Sequence, residues 1–287
     1  MGPPHKRFAG RIGPTPTPPL KGRGLRAGVL LLAVTVAAAL LSFAWTPWDV
    51  TTIDIAHRLA PASAAHWLGT DQLGRDLLSM LMAGARPSLG VAALALAIGV
   101  GGGVPLGLIA AARPGWIDEL VARGADILLA FPAILLALLV IAILGPGASH
   151  AALAIGLFNI PVFARVARAS ARGIWTRDFI LAARLAGKGP ALISIEHVLP
   201  NIAGPLITQA SLQLSLGVLA EAGLSFLGLG AQPPAASWGR MVADAQTLIG
   251  VAPSLVLLPG LAIVVTVVAI NLTGEALRDR IAPETGL

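Results

Sequence analysis

Hydrophobic residues in this chain come in long blocks, not in the alternating or one-faced patterns of a water-soluble fold. A helix rising 1.5 Å per residue needs roughly 20 apolar residues to cross a hydrocarbon layer about 30 Å thick. Six blocks meet that need, at 27–45, 87–112, 122–144, 149–170, 202–228 and 252–274. Only Gly145-Pro146-Gly147 separates the third from the fourth, a tight turn between antiparallel helices. The pattern predicts an all-α integral membrane protein with six spanning helices.

The polar interruptions are uneven. Residues 46–86 and 229–251 form two polar connections on one side, and 178–201 (DFILAARLAGKGPALISIEHVLPN) forms one on the other. The last segment can fold as two short helices joined by Gly187-Lys188-Gly189-Pro190. Gly187 and Gly189 permit positive φ, and Pro190 can open a new helix, so the helices can meet at a sharp angle. The first would run over 176–186 and present Phe179 and Leu185 as apolar anchors. Arg184 and Lys188 sit at its C-terminal end, where the helix dipole favours cations. Residues alone leave two readings open: a helix that docks in a partner's groove, or an amphipathic loop resting on anionic lipid.

Composition agrees with a membrane class. Mean hydropathy is +0.82, and charged residues make up 12% where a soluble domain carries about 25%. No cysteine is present, which excludes disulfides and thiolate sites. The net charge of +6 would suit nucleic acid, but its distribution suits membrane orientation instead. With the N-terminus inside, 16 of the 20 Lys and Arg fall on the cytoplasmic side, leaving Arg58, Arg75, Arg86 and Arg240 outside. Both termini are therefore expected in the cytoplasm, with lipid as a partner and no nucleic acid. Residues 1–26 carry six basic and no acidic residues and read as a disordered cytoplasmic tail. The expected organisation continues with 27–65 as the first span, uncleaved, and the start of an outer loop. A core of five spans over 66–282 and a short tail at 283–287 complete it.

Individual polar residues carry specific expectations. Arg165, Arg168 and Arg172 share one helix face at the end of the fourth span and read chiefly as orientation and headgroup contacts. His197 and Asn201 are one turn apart and read as a structural cap before the fifth span, since no second His stands at metal-ligand spacing. Thr70 or Asp71 can cap a helix leading into the second span, and Asp71 and Arg75 form an i, i+4 pair expected to be exposed, with Asp76 adding a second pairing. Gln232 to Trp238 reads as a rigid outer loop with an interfacial tryptophan. Glu221 is the one carboxylate set well inside a span, and either lines a pathway or bonds to a neighbouring helix. Gly223, Ser225, Gly228 and Gly230 nearby suit close helix approach. Pro132, Pro161, Pro205 and Pro259 can kink their spans.

Three stretches in order carry a family resemblance. They are Leu68-Gly69-Thr70-Asp71-Gln72-Leu73-Gly74-Arg75-Asp76, the 178–201 segment with its Ala182-Ala183-Arg184, Gly187 and His197 to Asn201, and Glu221 to Gly230 followed by Gln232-Pro233-Pro234 and Ser237-Trp238-Gly239. With Val104-Pro105-Leu106-Gly107 and Ala130-Phe131-Pro132, the likeness covers about 66–282. The chain resembles the ABC-importer permease subunits of the dipeptide, oligopeptide and nickel type, specifically their second membrane subunit. That resemblance implies the type I importer fold, with a cytoplasmic coupling helix between spans four and five. It implies contact with an ATPase through Phe179, Ala182, Ala183, Arg184, Leu185, Gly187, His197, Pro200 and Asn201. It places Asp71, Arg75, Asp76, Gln232 and Trp238 toward a solute-binding protein or outer gate, and Glu221 in the pathway or in helix packing. The implied partners are a second homologous permease, two ATPase subunits holding ATP and Mg, and an extracytoplasmic binding protein. The implied location is the bacterial inner membrane. Leu181 departs from the pattern, since the family usually has a glutamate before the two alanines.

Chemistry of its own is not legible in the chain. There is no G-x-x-x-x-G-K-[ST] phosphate loop, no H-E-x-x-H pair and no G-x-S-x-G turn. No catalytic, cofactor or metal residue is therefore expected. His57, His66, His150 and His197 lack catalytic companions, which argues against a membrane-embedded enzyme. A self-sufficient secondary transporter, the alternative, should show internal repeats and several intramembrane ionisable groups, and only Glu221 qualifies.

Overall fold

A computed structural model describes residues 21–281, with side chains from residue 26. Most of the basic tail read at 1–26, and the tail at 283–287, lie outside the described residues. Helix α1 spans Lys21–Ala44, so it opens inside the segment read as tail. Helix α2, Leu77–Ala112, starts well before the predicted 87. Its start is set by Asp76, whose carboxylate accepts the Ser79 N–H as an N-cap. At 36 residues α2 is about 54 Å long, enough to project beyond a bilayer core.

The predicted third span, 122–144, is not one helix. Helix α3, Trp116–Ala130, and helix α4, Ala133–Leu144, meet at 86°. Phe131 between them is extended (φ −84°, ψ 138°), the conformation that the ring of Pro132 favours in the residue before it. Pro161 and Pro259, by contrast, sit inside the continuous helices α5, Ala148–Trp175, and α11, Ser254–Ile281. The remaining elements are α6, Asp178–Leu185; α7, Pro190–Ile193; a π turn at Ser194–Val198; α8, Leu199–Asn201; α9, Ala203–Phe226; and α10, Trp238–Ala245. Residues 190–201 meet α9 at 70°. Segments of α1, α2, α5 and α11 are long and apolar enough to cross a membrane, and the number rises to six if each of the two bent pairs is one span. Leu30, Ile143 and Leu257 are among many large apolar side chains left exposed around the bundle, as a lipid-facing surface requires.

Lipid tails are as apolar as leucine, so helix association here depends on close packing and polar contacts more than on burial from water. The tightest pair is α2 against α5, and it works through Gly99, Gly103 and Gly107. A Cβ on Gly103 would lie 2.4 Å from the Ile160 carbonyl oxygen, and one on Gly107 2.5 Å from that of Ala164. Phe163 and Ala167 of α5 then bury completely between Val104 and Leu108. Of the glycines expected to allow approach near Glu221, Gly223 and Gly228 have open space around them and Gly230 is pressed onto Ser225; Gly239, not among them, is pressed onto the Ala222 backbone.

Candidate functional site

The 178–201 segment folds as a hairpin clamped to the bundle. In α6, Ile180 and Ala183 point inward and join a core cluster with Phe163, Ile193, Val198 and Ile202. Phe179, Ala182, Arg184 and Leu185 stay exposed, Leu185 at 83%. Ala183, expected at a partner surface, is thus a core residue. Helix α6 ends in a Schellman motif: Gly187 N–H donates to the Arg184 carbonyl at 2.9 Å and Lys188 N–H to the Ala183 carbonyl at 3.1 Å. Gly187 supplies the required left-handed conformation (φ +80°). Gly189 does not share that role; it is extended at φ −75°, the geometry that leads into Pro190 at the first position of α7.

Side chains brace the hairpin. Lys188 Nζ lies 2.5 Å from Glu196 Oε2 and 3.4 Å from His197 Nε2, and the Phe179 and His197 rings meet edge to face at 6.4 Å. Asn201 Nδ2 donates to the His197 carbonyl at 2.6 Å, the local structural role expected of that pair. Pro200 is exposed and has no N–H to continue the ladder; before it, Leu199 N–H reaches back to the Ser194 carbonyl, which widens the turn. The Arg184 guanidinium lies 5.2 Å from the Trp175 ring centroid at the end of α5. Among the described residues there is no group of three His, Asp or Glu able to hold a metal ion.

The arginines of α5 are not free for headgroups. Asp118, in the first turn of α3, accepts from Arg168 Nε at 2.5 Å and Nη2 at 3.0 Å, and also from Arg172. Asp126 accepts from Arg165 Nη2 at 2.5 Å. Sequence reasoning passed over Asp118 and Asp126, although an acid just ahead of an apolar block opposite three arginines was a usable signal. The consequence is mechanical: α3 is fastened to α5, and α5 leads directly into α6.

At the opposite end of α2, residues 46–76 fold back onto the helix start. Asp71 accepts from the backbone N–H groups of Leu73 and Arg75 and from Arg75 Nε at 2.7 Å. The pair is largely buried, with side-chain exposures of 8% for Asp71 and 18% for Arg75, so the expected exposed pair is corrected. Asp76, not Thr70 or Asp71, caps α2, and its second oxygen is 3.0 Å from His66 Nδ1, not paired with Arg75. Nearby, the hydrogen bond to exposed His57 holds the Asp54 carboxyl below its ordinary value. Gly74 (φ +76°) is pressed so closely on the Asp54 carbonyl that a Cβ would lie 1.7 Å away.

The loop after α9 is likewise internal. Trp238 is 2% exposed and donates through Nε1 to the Leu81 carbonyl at 2.9 Å, packing against Gly84; it is no interfacial anchor. Gln232 is partly buried and spends its amide on the Gly228 and Gly230 carbonyls. Glu221, fully buried, accepts from Ser88 at 2.8 Å and Ser225 at 2.6 Å, joining α9 to α2. Of its two open readings, the geometry is that of helix packing. The five residues expected to face a binding protein therefore form a brace at this end, with Asp71, Asp76 and Trp238 buried.

Long apolar helices, a helix pair broken at Phe131–Pro132 and a hairpin at 178–201 that leads into α9 define a multi-pass membrane permease of the importer type. The family described as "Binding-protein-dependent transport system inner membrane component" matches residues 103–286, and the chain belongs to it. The dipeptide transport system permease protein DppC of Alkalihalophilus pseudofirmus is 39% identical over 90% of this chain and 84% of its own length. The di/tripeptide permease DppC of Pseudomonas aeruginosa is 41% identical over 91% and 88%, and the nickel permease NikC of Escherichia coli K12 37% identical over 90% and 94%. In fold, the chain is similar to the inward-facing MetNI methionine ABC transporter, with a TM-score of 0.60, 21% identity, and 71% of this chain and 96% of that one covered. The chain is thus an ABC-importer permease subunit of the dipeptide, oligopeptide and nickel type in the inner membrane, and the stand-alone transporter reading finds no support in these relatives.

Proposed function

We propose that this subunit pairs with a second, homologous permease to form a path for di- or oligopeptides or related small solutes, received from an extracytoplasmic binding protein. Two ATPase subunits, carrying all ATP and Mg, drive the cycle, and this chain contributes no catalysis. The single observation that carries this reading is the build of α6. Its inner face is locked into the core by Ile180 and Ala183 while Phe179, Ala182, Arg184 and Leu185 project outward. A short helix fixed in this way passes a push to the bundle as rigid-body motion, because packed interfaces shift between discrete arrangements. Leu181, also exposed, adds an apolar contact to that surface. The bias of basic residues toward this side supports cytoplasmic termini and a cytoplasmic hairpin.

The natural chain has no cysteine, so a single Leu185→Cys reports on one position. In the assembled importer it should cross-link to an ATPase subunit, and Gly187→Val should cut ATP-driven peptide uptake at least tenfold without loss of membrane insertion. A Leu185→Cys variant whose thiol never meets an ATPase in the working complex would refute this reading.

A further inference from the structure

Helices α4, α5 and α9 border an open cavity of about 370 Å³, lined by Ala133 and Ala137, by Phe158 and Asn159, and by Gln213 and Leu224. No charged residue borders it. Its wall is apolar but for two amides, and both lie deep. Asn159 follows the start of α5 by about 16 Å and Gln213 the start of α9 by about 15 Å, each near the middle of a bilayer core. Gln213 is 7% exposed, yet its side chain makes no hydrogen bond among the described residues. Asn159, at 2%, makes one long donation of 3.4 Å to the Ala95 carbonyl, which leaves its oxygen free.

The unpartnered polar atoms of these amides open onto the cavity and are not sealed in protein, and a lipid tail filling it would leave them without a hydrogen bond at a cost of about 1–3 kcal/mol. An occupant with its own donors and acceptors removes it. Resting on the importer reading above, we infer that this cavity is a solute subsite, in which Gln213 and Asn159 hydrogen-bond the uncharged amide groups of a passing peptide. A wall without charge gives no preference between acidic and basic side chains. It grips the one feature all peptides share, the backbone amide. Ala133 and Ala137 follow directly on the α3–α4 break, so a movement of α3 alters the width of the site.

The test uses the complete importer in proteoliposomes, with its binding protein, second permease and ATPases, and trialanine as probe. Gln213→Cys, or Ala220→Cys if the former fails to assemble, is exposed to a water-soluble methanethiosulfonate, with Leu212→Cys as a control. The site cysteine should react at least tenfold faster than the control cysteine, and trialanine should slow it threefold or more. Gln213→Leu should lower trialanine uptake about tenfold while ATPase stimulation by the binding protein stays within twofold. A site cysteine no faster than the control means lipid or a partner helix fills the cavity, and overturns the inference. So does labelling indifferent to trialanine while uptake proceeds. If the unsubstituted importer takes up no trialanine, it is the peptide reading that fails, and the subsite reading with it.

Discussion

Arg168 Nε lies 2.5 Å from Asp118 Oδ1, a bond between residues 50 apart in sequence that ties α5 to the first turn of α3. Because α5 continues into α6 and α3 ends at the Phe131–Pro132 break, this contact links the hairpin to the cavity wall. Arg172 adds a second donor to the same carboxylate.

Replacing Asp118 with Asn should therefore destabilise the detergent-solubilised protein by about 1–2 kcal/mol, as two guanidinium groups lose their charged acceptor. Arg172→Ala should cost less than about 0.5 kcal/mol, since that side chain is half-exposed. Equal costs in thermal unfolding would show that the carboxylate does not act through Arg168.

Gly103→Ala tests the α2–α5 contact. The added methyl meets a backbone carbonyl, which cannot swing aside as a side chain can, so a loss of about 1–3 kcal/mol is expected. Gly101→Ala, in the same helix with nothing within 4 Å, should be neutral or stabilise by up to about 1 kcal/mol. Unfolding midpoints of the two variants should move in different directions or by clearly different amounts.

The hairpin turn predicts a local effect. Gly187→Ala meets no neighbour within 4 Å, so its cost of about 1 kcal/mol is purely that of a left-handed backbone. Hydrogen exchange at the Lys188 N–H should speed up roughly fivefold while the global midpoint holds. Gly189→Ala, at φ −75°, should leave exchange unchanged.

Asp71→Ala should lower stability by about 2 kcal/mol, because two backbone N–H groups and a largely buried guanidinium lose their acceptor together. Limited proteolysis within 46–76 should accelerate in parallel. Unchanged cleavage would mean that the lobe is held by other contacts.

Much of this was legible along the chain because its signals are local. An apolar block of sufficient length has few alternatives to a spanning helix, and five of the six predicted spans stand as helices, with ends shifted by caps such as Asp76. The turn at Gly187 and the new start at Pro190 were equally readable, since φ preference belongs to the residue. The break at Phe131–Pro132 was underestimated, because a proline in an apolar run permits anything from a mild kink to a right angle.

The side-chain partnerships were not legible, and the reason is distance along the sequence. Asp71 and Trp238 look like surface residues beside polar neighbours, and became interior only when the 46–76 lobe and the loop after α9 closed over α2. Arg168 looked like a headgroup contact until α3 brought Asp118 beside it. The sequence by itself determined that the chain is a bundle of apolar membrane helices, where the hairpin turns and to which family it belongs. Only the tertiary structure decided which polar groups are spent on one another and which, like Gln213, are left facing a cavity, because helices that pack without a hydrophobic drive between them choose their contacts by shape and hydrogen bonding.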